Sequence, residues 1–118
     1  MLQQDYLQIR VFELEPQVFS SGPLFESDLT LLAKEGVHSI VNTRPDNETP
    51  EQPLAEDLAR FAEELGMTYV HFPVEPGQIT KEIAETFTTS CAALERPLVV
   101  CGRSGPQATR IWETAETL

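Results

Sequence analysis

Cys101 closes a short apolar run, Leu98-Val99-Val100, and is followed at once by Gly102-Arg103-Ser104-Gly105, with Pro106 and Gln107 opening a helix-compatible segment that contains Trp112. A strand, a glycine-rich turn and a helix start, in that order, aim several peptide N–H groups and the positive end of a helix dipole at one point. Such a turn is a seat for a phosphate- or sulfate-like anion, and Gly102, Arg103, Ser104, Gly105 and Gln107 are its candidate ligands. A thiol beside that seat raises the prospect of thiolate chemistry on phosphorus or sulfur, because a neighbouring helix N-terminus lowers a thiol pKa. Cys101 is therefore a candidate nucleophile. Its competing reading is a buried strand-end cysteine that packs as a small apolar side chain.

Hydrophobic periodicity supplies the elements that must position this turn. Leu7–Glu13 alternates apolar and polar residues and reads as a strand, with a second short one over Val18–Ser20 beyond Pro16. Ser27-Asp28 caps a helix running through Glu35, and Gly36 stops it. Val37–Val41 is a strand, and Glu48–Pro53 is a proline-bearing acidic loop. Leu54, Leu58, Phe61 and Leu65 repeat at the spacing of one helix face, so Leu54–Leu65 is an amphipathic helix ended by Gly66. Met67–Phe72 is a strand, Ile79–Leu94 a helix capped by Thr80, Leu98–Cys101 a strand, and Pro106 to Thr117 a last helix. Alternating helices and strands imply an α/β fold: a small, mostly parallel central sheet flanked by helices, with the N-terminal strands adding antiparallel edge pairing. Ligands of such sheets sit beyond the carboxyl ends of the strands, so Asn42–Asp46, Pro73–Gln78 and Cys101–Gln107 should converge.

A chain of 118 residues suits a single domain, 1–118. Its net charge of −11, from 19 acidic against 8 basic residues, argues against nucleic acid or an anionic membrane as a partner. The N-terminal residues lack the basic start and apolar run of a secretory leader, and two cysteines make no disulfide framework, so the expected setting is cytoplasmic. Two histidines and two cysteines lack ligand spacing, so neither a metal nor another cofactor is expected. His71 reads as a hydrogen-bonded structural residue, His38 as a surface residue, and Cys91 as core. Arg110, one turn into the last helix, either reaches the anion or pairs with Glu113.

Together, Phe19-Ser20-Ser21-Gly22, Asp28-Leu29-Thr30-Leu31-Leu32-Ala33 with Gly36, Ile40-Val41-Asn42-Thr43-Arg44-Pro45-Asp46, His71-Phe72-Pro73-Val74, and Arg103-Ser104-Gly105 with Trp112 resemble the beta-lactamase hydrolase-like phosphatase-like domain family. That family is a bacterial branch of the tyrosine and dual-specificity phosphatase superfamily. The resemblance implies a phosphatase-like arrangement and a phosphate loop of the form C-R-[ST]-G-x-R, in which the cysteine attacks phosphorus and the arginine grips the phosphate. Laid on that pattern, Arg103-Ser104-Gly105 puts Gly102 at the nucleophile position and Gln107 at the arginine position. The longer superfamily spacing C-x5-R would restore Cys101 as nucleophile, but Gln107 still stands in place of arginine and supplies no charge. The resemblance also implies a general acid in the loop after Val74, where Glu75 is available; a solvated carboxylate is its plain alternative. It sets Asn42, Arg44 and Asp46 beside the phosphate loop, with Arg44 and Asp46 pairing and Asn42 bonding the turn backbone as support.

Three functions are compatible with these residues. The first is a phosphatase-like domain that keeps an anion-binding loop at 101–107 but is impaired or inactive, with a phosphate-like anion, phosphorylated molecule or protein as partner. The second is a working cysteine-dependent phosphatase or rhodanese-like sulfurtransferase using Cys101. The third is an acidic protein-interaction module.

Overall fold

The structure, a computed structural model, describes residues 10–118. The first expected strand thus lies partly outside the described residues; within them β1 is Val11–Glu15 and β2 is Val18–Ser21. These two pair antiparallel, Val11 opposite Ser21 and Phe12 opposite Ser20, and the chain reverses through Gln17 at φ 65°. The remaining elements are α1 (Glu26–Lys34), β3 (Ser39–Asn42), α2 (Ala55–Glu64), β4 (Thr68–His71), a 3-10 turn at Pro76–Gln78, α3 (Lys81–Ala92), β5 (Leu98–Cys101) and α4 (Gly105–Thr117).

Two boundaries differ from expectation for identifiable reasons. The N-cap of α1 is Phe25, ahead of Ser27-Asp28; Asp28 caps from inside the first turn, its Oδ2 accepting from the Phe25 N–H at 2.8 Å. β3 starts at Ser39 because Val37 still belongs to the end of α1, its N–H donating to Leu32 O at 3.0 Å. The same closure ends α2, where Met67 N–H reaches Ala62 O at 2.9 Å past Gly66 at φ 85°. Helix starts follow their capping residues: the Thr80 hydroxyl accepts from Ile83 N–H at 3.1 Å and the Ser104 hydroxyl from Gln107 N–H at 3.2 Å.

The five strands form one sheet in the order β1-β2-β5-β3-β4, parallel everywhere except at β1. β2 therefore joins the parallel set, and β5 occupies the centre. Alternation along the strands divides the core between two faces. Ile40, Val99 and Cys101 pack with Leu29 and Leu32 of α1 and with Leu58 and Ala62 of α2. Val18, Val41, Leu98 and Val100 pack on the other face with Phe87 and Cys91 of α3 and with Ala108, Ile111 and Trp112 of α4. Phe87 meets Phe72 and Trp112 edge-on, with ring centroids 5.3 and 6.1 Å apart. Completely buried side chains such as Leu29, Leu32, Ile40 and Ile111 each contribute about 1.5–3 kcal/mol through the apolar area they remove from water.

Candidate functional site

Ser21, Cys101, Asn42 and His71 stand in register across β2, β5, β3 and β4, forming one row at the carboxyl ends of the parallel strands. Neighbours in register share a face, so this row belongs to the side covered by α1 and α2. Position 102 then turns the opposite way. A Cβ built at Gly102 would meet Ala108 N at 3.1 Å and Ala108 Cα at 3.3 Å, in the first turns of α4. Side chains at 101 and 102 thus address different compartments.

Cys101 is 2% exposed. Its thiol donates to Asn42 Oδ1 at 3.4 Å, and it adjoins a void of about 10 Å³ shared with Leu24, Asn42, Arg44, Gln52, Pro53 and Leu58. Burial pushes the thiol up to about 12, outweighing the opposing field of the Arg44 guanidinium and hydrogen bonds. The group is therefore a neutral thiol near pH 7.

Asn42 organises the neighbourhood. Its Oδ1 also accepts from the Arg44 N–H at 2.9 Å, and its Nδ2 donates to the Tyr69 hydroxyl at 2.9 Å. Burial pushes the Tyr69 phenol well above its ordinary range. The Thr43 hydroxyl donates to Cys101 O at 2.7 Å, and the Thr43 N–H reaches the same oxygen at 3.0 Å. His71 Nε2 lies 2.7 Å from Arg44 O, which makes it the structural histidine expected.

The partner expected for Arg44 was Asp46, and here the structure differs. Arg44, 6% exposed, pairs through Nε with Glu48 Oε1 at 2.9 Å. Asp46 instead accepts from Ala55 N–H at 2.9 Å, stabilising the start of α2. The turn between them, with Asn47 at φ 64°, folds Glu48 back over Arg44. In the sequence Glu48 belongs to the proline-bearing acidic loop, and its spacing of four from Arg44 across Pro-Asp-Asn is the one signal of this pairing. Tyr69 was also missed, because an isolated strand tyrosine carries no sequence mark of a polar partner.

The loop backbone is partly committed. Gly102 N–H donates to Ser21 O at 3.0 Å, Gln107 N–H to the Ser104 hydroxyl, and Pro106 has no N–H. The expectation that all amides from Gly102 to Gln107 serve one anion is corrected accordingly. Only the N–H groups of Arg103, Ser104 and Gly105 remain without a hydrogen bond among the described residues. Arg103 Nε donates to Gln107 Oε1 at 3.0 Å, and its NH1 lies 3.8 Å from Glu48 Oε2. Glu75 is exposed, with no side-chain hydrogen bond or ion pair among the described residues. Arg110 makes no pair with Glu113 there either; it lines a groove of about 510 Å³ between β1 and α4. His38 pairs with Glu95 at the surface at 3.4 Å.

Helix, sheet and loop follow one another here as they do in known proteins. A family model described as the phosphatase-like domain of beta-lactamase hydrolase-like protein matches residues 10–118. The chain belongs to that family. The beta-lactamase hydrolase-like protein of Xylella fastidiosa (strain 9a5c) is 27% identical over 110 residues, 93% of this chain but 26% of the relative. The chain thus spans about a quarter of the length of the curated relatives it matches. Among solved structures, a candidate phosphatase from Neisseria meningitidis Z2491 superposes with a TM-score of 0.77 at 29% identity, covering 85% of this chain and 71% of that one. P. aeruginosa TpbA in complex with pTyr shares the fold, with a TM-score of 0.62 at 12% identity over 89% of this chain and 58% of its own. The phosphatase-like domain described here therefore has the fold of the tyrosine and dual-specificity phosphatases. Among the described residues no helix is long and apolar enough to cross a membrane.

Proposed function

We propose that this phosphatase-like domain binds a phosphate- or sulfate-like anion, free or carried by a partner, at the loop between β5 and α4, with little or no turnover. The N–H groups of Arg103, Ser104 and Gly105, the Arg103 guanidinium and the N-terminal end of α4 hold the anion. Asn42, Arg44 and the turn at Asp46 hold the neighbouring loop in place. Glu75 stays at the surface and takes no part in holding the anion.

One observation carries this reading: the sulfur of Cys101 is buried against Asn42, on the face opposite α4, while the position aimed at α4 is a glycine. A thiolate nucleophile must reach the phosphorus, and the loop offers no thiol on its α4 side to do so. Gln107 adds a further loss. Its oxygen is occupied by Arg103, and an amide contributes no positive charge to a phosphoryl transition state. The phosphatase-like description of the family, the phosphatase name of the Neisseria structure and the pTyr bound to TpbA support an oxyanion as the natural guest.

Calorimetric titration with inorganic phosphate, sulfate and vanadate tests binding, and release from an aryl phosphate or thiosulfate tests turnover. Millimolar binding that weakens in Arg103→Ala, with any residual turnover unchanged in Cys101→Ser, is the expected result. Turnover abolished by Cys101→Ser would replace this reading with a working cysteine enzyme. Absence of any site-specific effect at millimolar anion would remove the cradle itself.

A further inference from the structure

Glu48 has no part in the reading above, yet with Arg44 it forms the most enclosed ion pair among the described residues. The segment after Arg44 is firmly folded: Asp46 accepts from Ala55 N–H, Gln52 Nε2 donates to Pro45 O at 2.9 Å, and Gln52 Oε1 accepts from Thr49 N–H at 3.2 Å. This fold delivers the Glu48 side chain, 15% exposed, between two guanidiniums. One oxygen lies 2.9 Å from Arg44 Nε and the other 3.8 Å from Arg103 NH1.

The two contacts differ in kind. Arg44 is 6% exposed and needs a counter-charge, since an unpaired buried guanidinium is strongly unfavourable. Arg103 is 61% exposed, and a long, solvated contact of that sort contributes little. The carboxylate is therefore fixed on Arg44 and only loosely shared with Arg103. It thus supplies Arg103 with a carboxylate oxygen on the loop side of Arg44.

We infer that Glu48 is a resident competitor for Arg103 that sets the affinity and charge selectivity of the anion loop. This rests on the anion-binding reading above. An entering anion shares the Arg103 guanidinium with Glu48 and with Gln107, and it does so against a like charge 3.8 Å from Arg103 NH1. Removing that charge tightens anion binding roughly tenfold, the order expected for one like charge near a partly exposed site, and the gain shrinks as salt screens it. Glu48→Gln keeps an acceptor for Arg44 Nε but removes its counter-charge, so the variant is less stable than the wild type and its fold is checked before titration.

The test is calorimetric titration of the full chain with inorganic phosphate at low ionic strength, in the wild type, Glu48→Gln, Arg103→Ala and the Glu48→Gln/Arg103→Ala double variant. Tightening in Glu48→Gln that is clearly smaller in the Arg103→Ala background, where only direct charge repulsion is relieved, is the expected result. Equal or weaker binding in Glu48→Gln, or a gain of the same size without Arg103, overturns the role of Glu48 and leaves the anion loop intact. Absence of binding in both the wild type and Glu48→Gln overturns the two together. If Glu48→Gln fails to fold, Glu48→Asp decides: its carboxylate keeps the charge beside Arg44 but withdraws from Arg103. About threefold tightening is then expected, and unchanged binding overturns the inference.

Discussion

The Cys101 thiol donates to Asn42 Oδ1 across 3.4 Å, on the sheet face that carries α1 and α2. This contact ties the only cysteine near the loop into the same polar cluster as Arg44 and Tyr69, and burial keeps it protonated. A thiol reagent should leave Cys101 unmodified in the native protein at neutral pH and label it after denaturation. Rapid labelling of Cys101 in the native state would contradict the geometry.

Alkaline pH should destabilise the fold. Cys91 and Cys101 are both pushed up to about 12 by burial, from the ordinary thiol value of 9.0. Above pH 9 the unfolded chain releases thiol protons that the native chain retains, so stability is complete below that value and declines as pH rises toward 12. The expected slope is about 1.4 kcal/mol per pH unit for each thiol. Urea denaturation of wild type and Cys91→Ala at pH 8 and pH 10.5 measures it; the variant should lose less between the two.

Asn42 serves three groups, accepting from Arg44 N–H and the Cys101 thiol and donating to the Tyr69 hydroxyl. Asn42→Leu leaves these polar groups without their partner in a buried setting and should cost about 2–4 kcal/mol. Chemical denaturation reads this directly.

Restoring the family's chemical pair should restore chemistry. In Gly102→Cys the new Cβ lies 3.1 Å from Ala108 N, so α4 must yield by a few tenths of an ångström, at about 1–2 kcal/mol. Gly102→Cys with Gln107→Arg should hydrolyse an aryl phosphate, and the cysteine alone should be about 10²–10³-fold slower for want of the guanidinium. A folded double variant no faster than the wild type would show that the loop shape does not support transfer.

How far the sequence discloses this molecule depends on whether a feature is local. The stripe Leu54, Leu58, Phe61 and Leu65 defines α2 because period and burial coincide, and Thr80 and Ser104 mark helix starts because capping involves three neighbouring residues. The alternating faces of β5 likewise separate Cys101 from the loop by simple parity. Partner choice is not local. Arg44 has both Asp46 and Glu48 within reach in sequence, and only the turn at Asn47 and the Asp46 bond to Ala55 direct it to Glu48. Nor does sequence show that Ser21 O consumes the Gly102 amide, since that depends on β2 lying beside β5.

The Cys101 carbonyl receives two donors from Thr43, and the next amide, that of Gly102, is anchored to Ser21 on the other side. The stem of the glycine loop is therefore stitched to both flanking strands and shares the rigidity of the sheet. Its Gly102 amide should exchange with deuterium as slowly as those of β5, although it lies beyond the strand. Any accommodation of a guest must then fall on the tip, at residues 103–105 and the exposed Arg103 side chain.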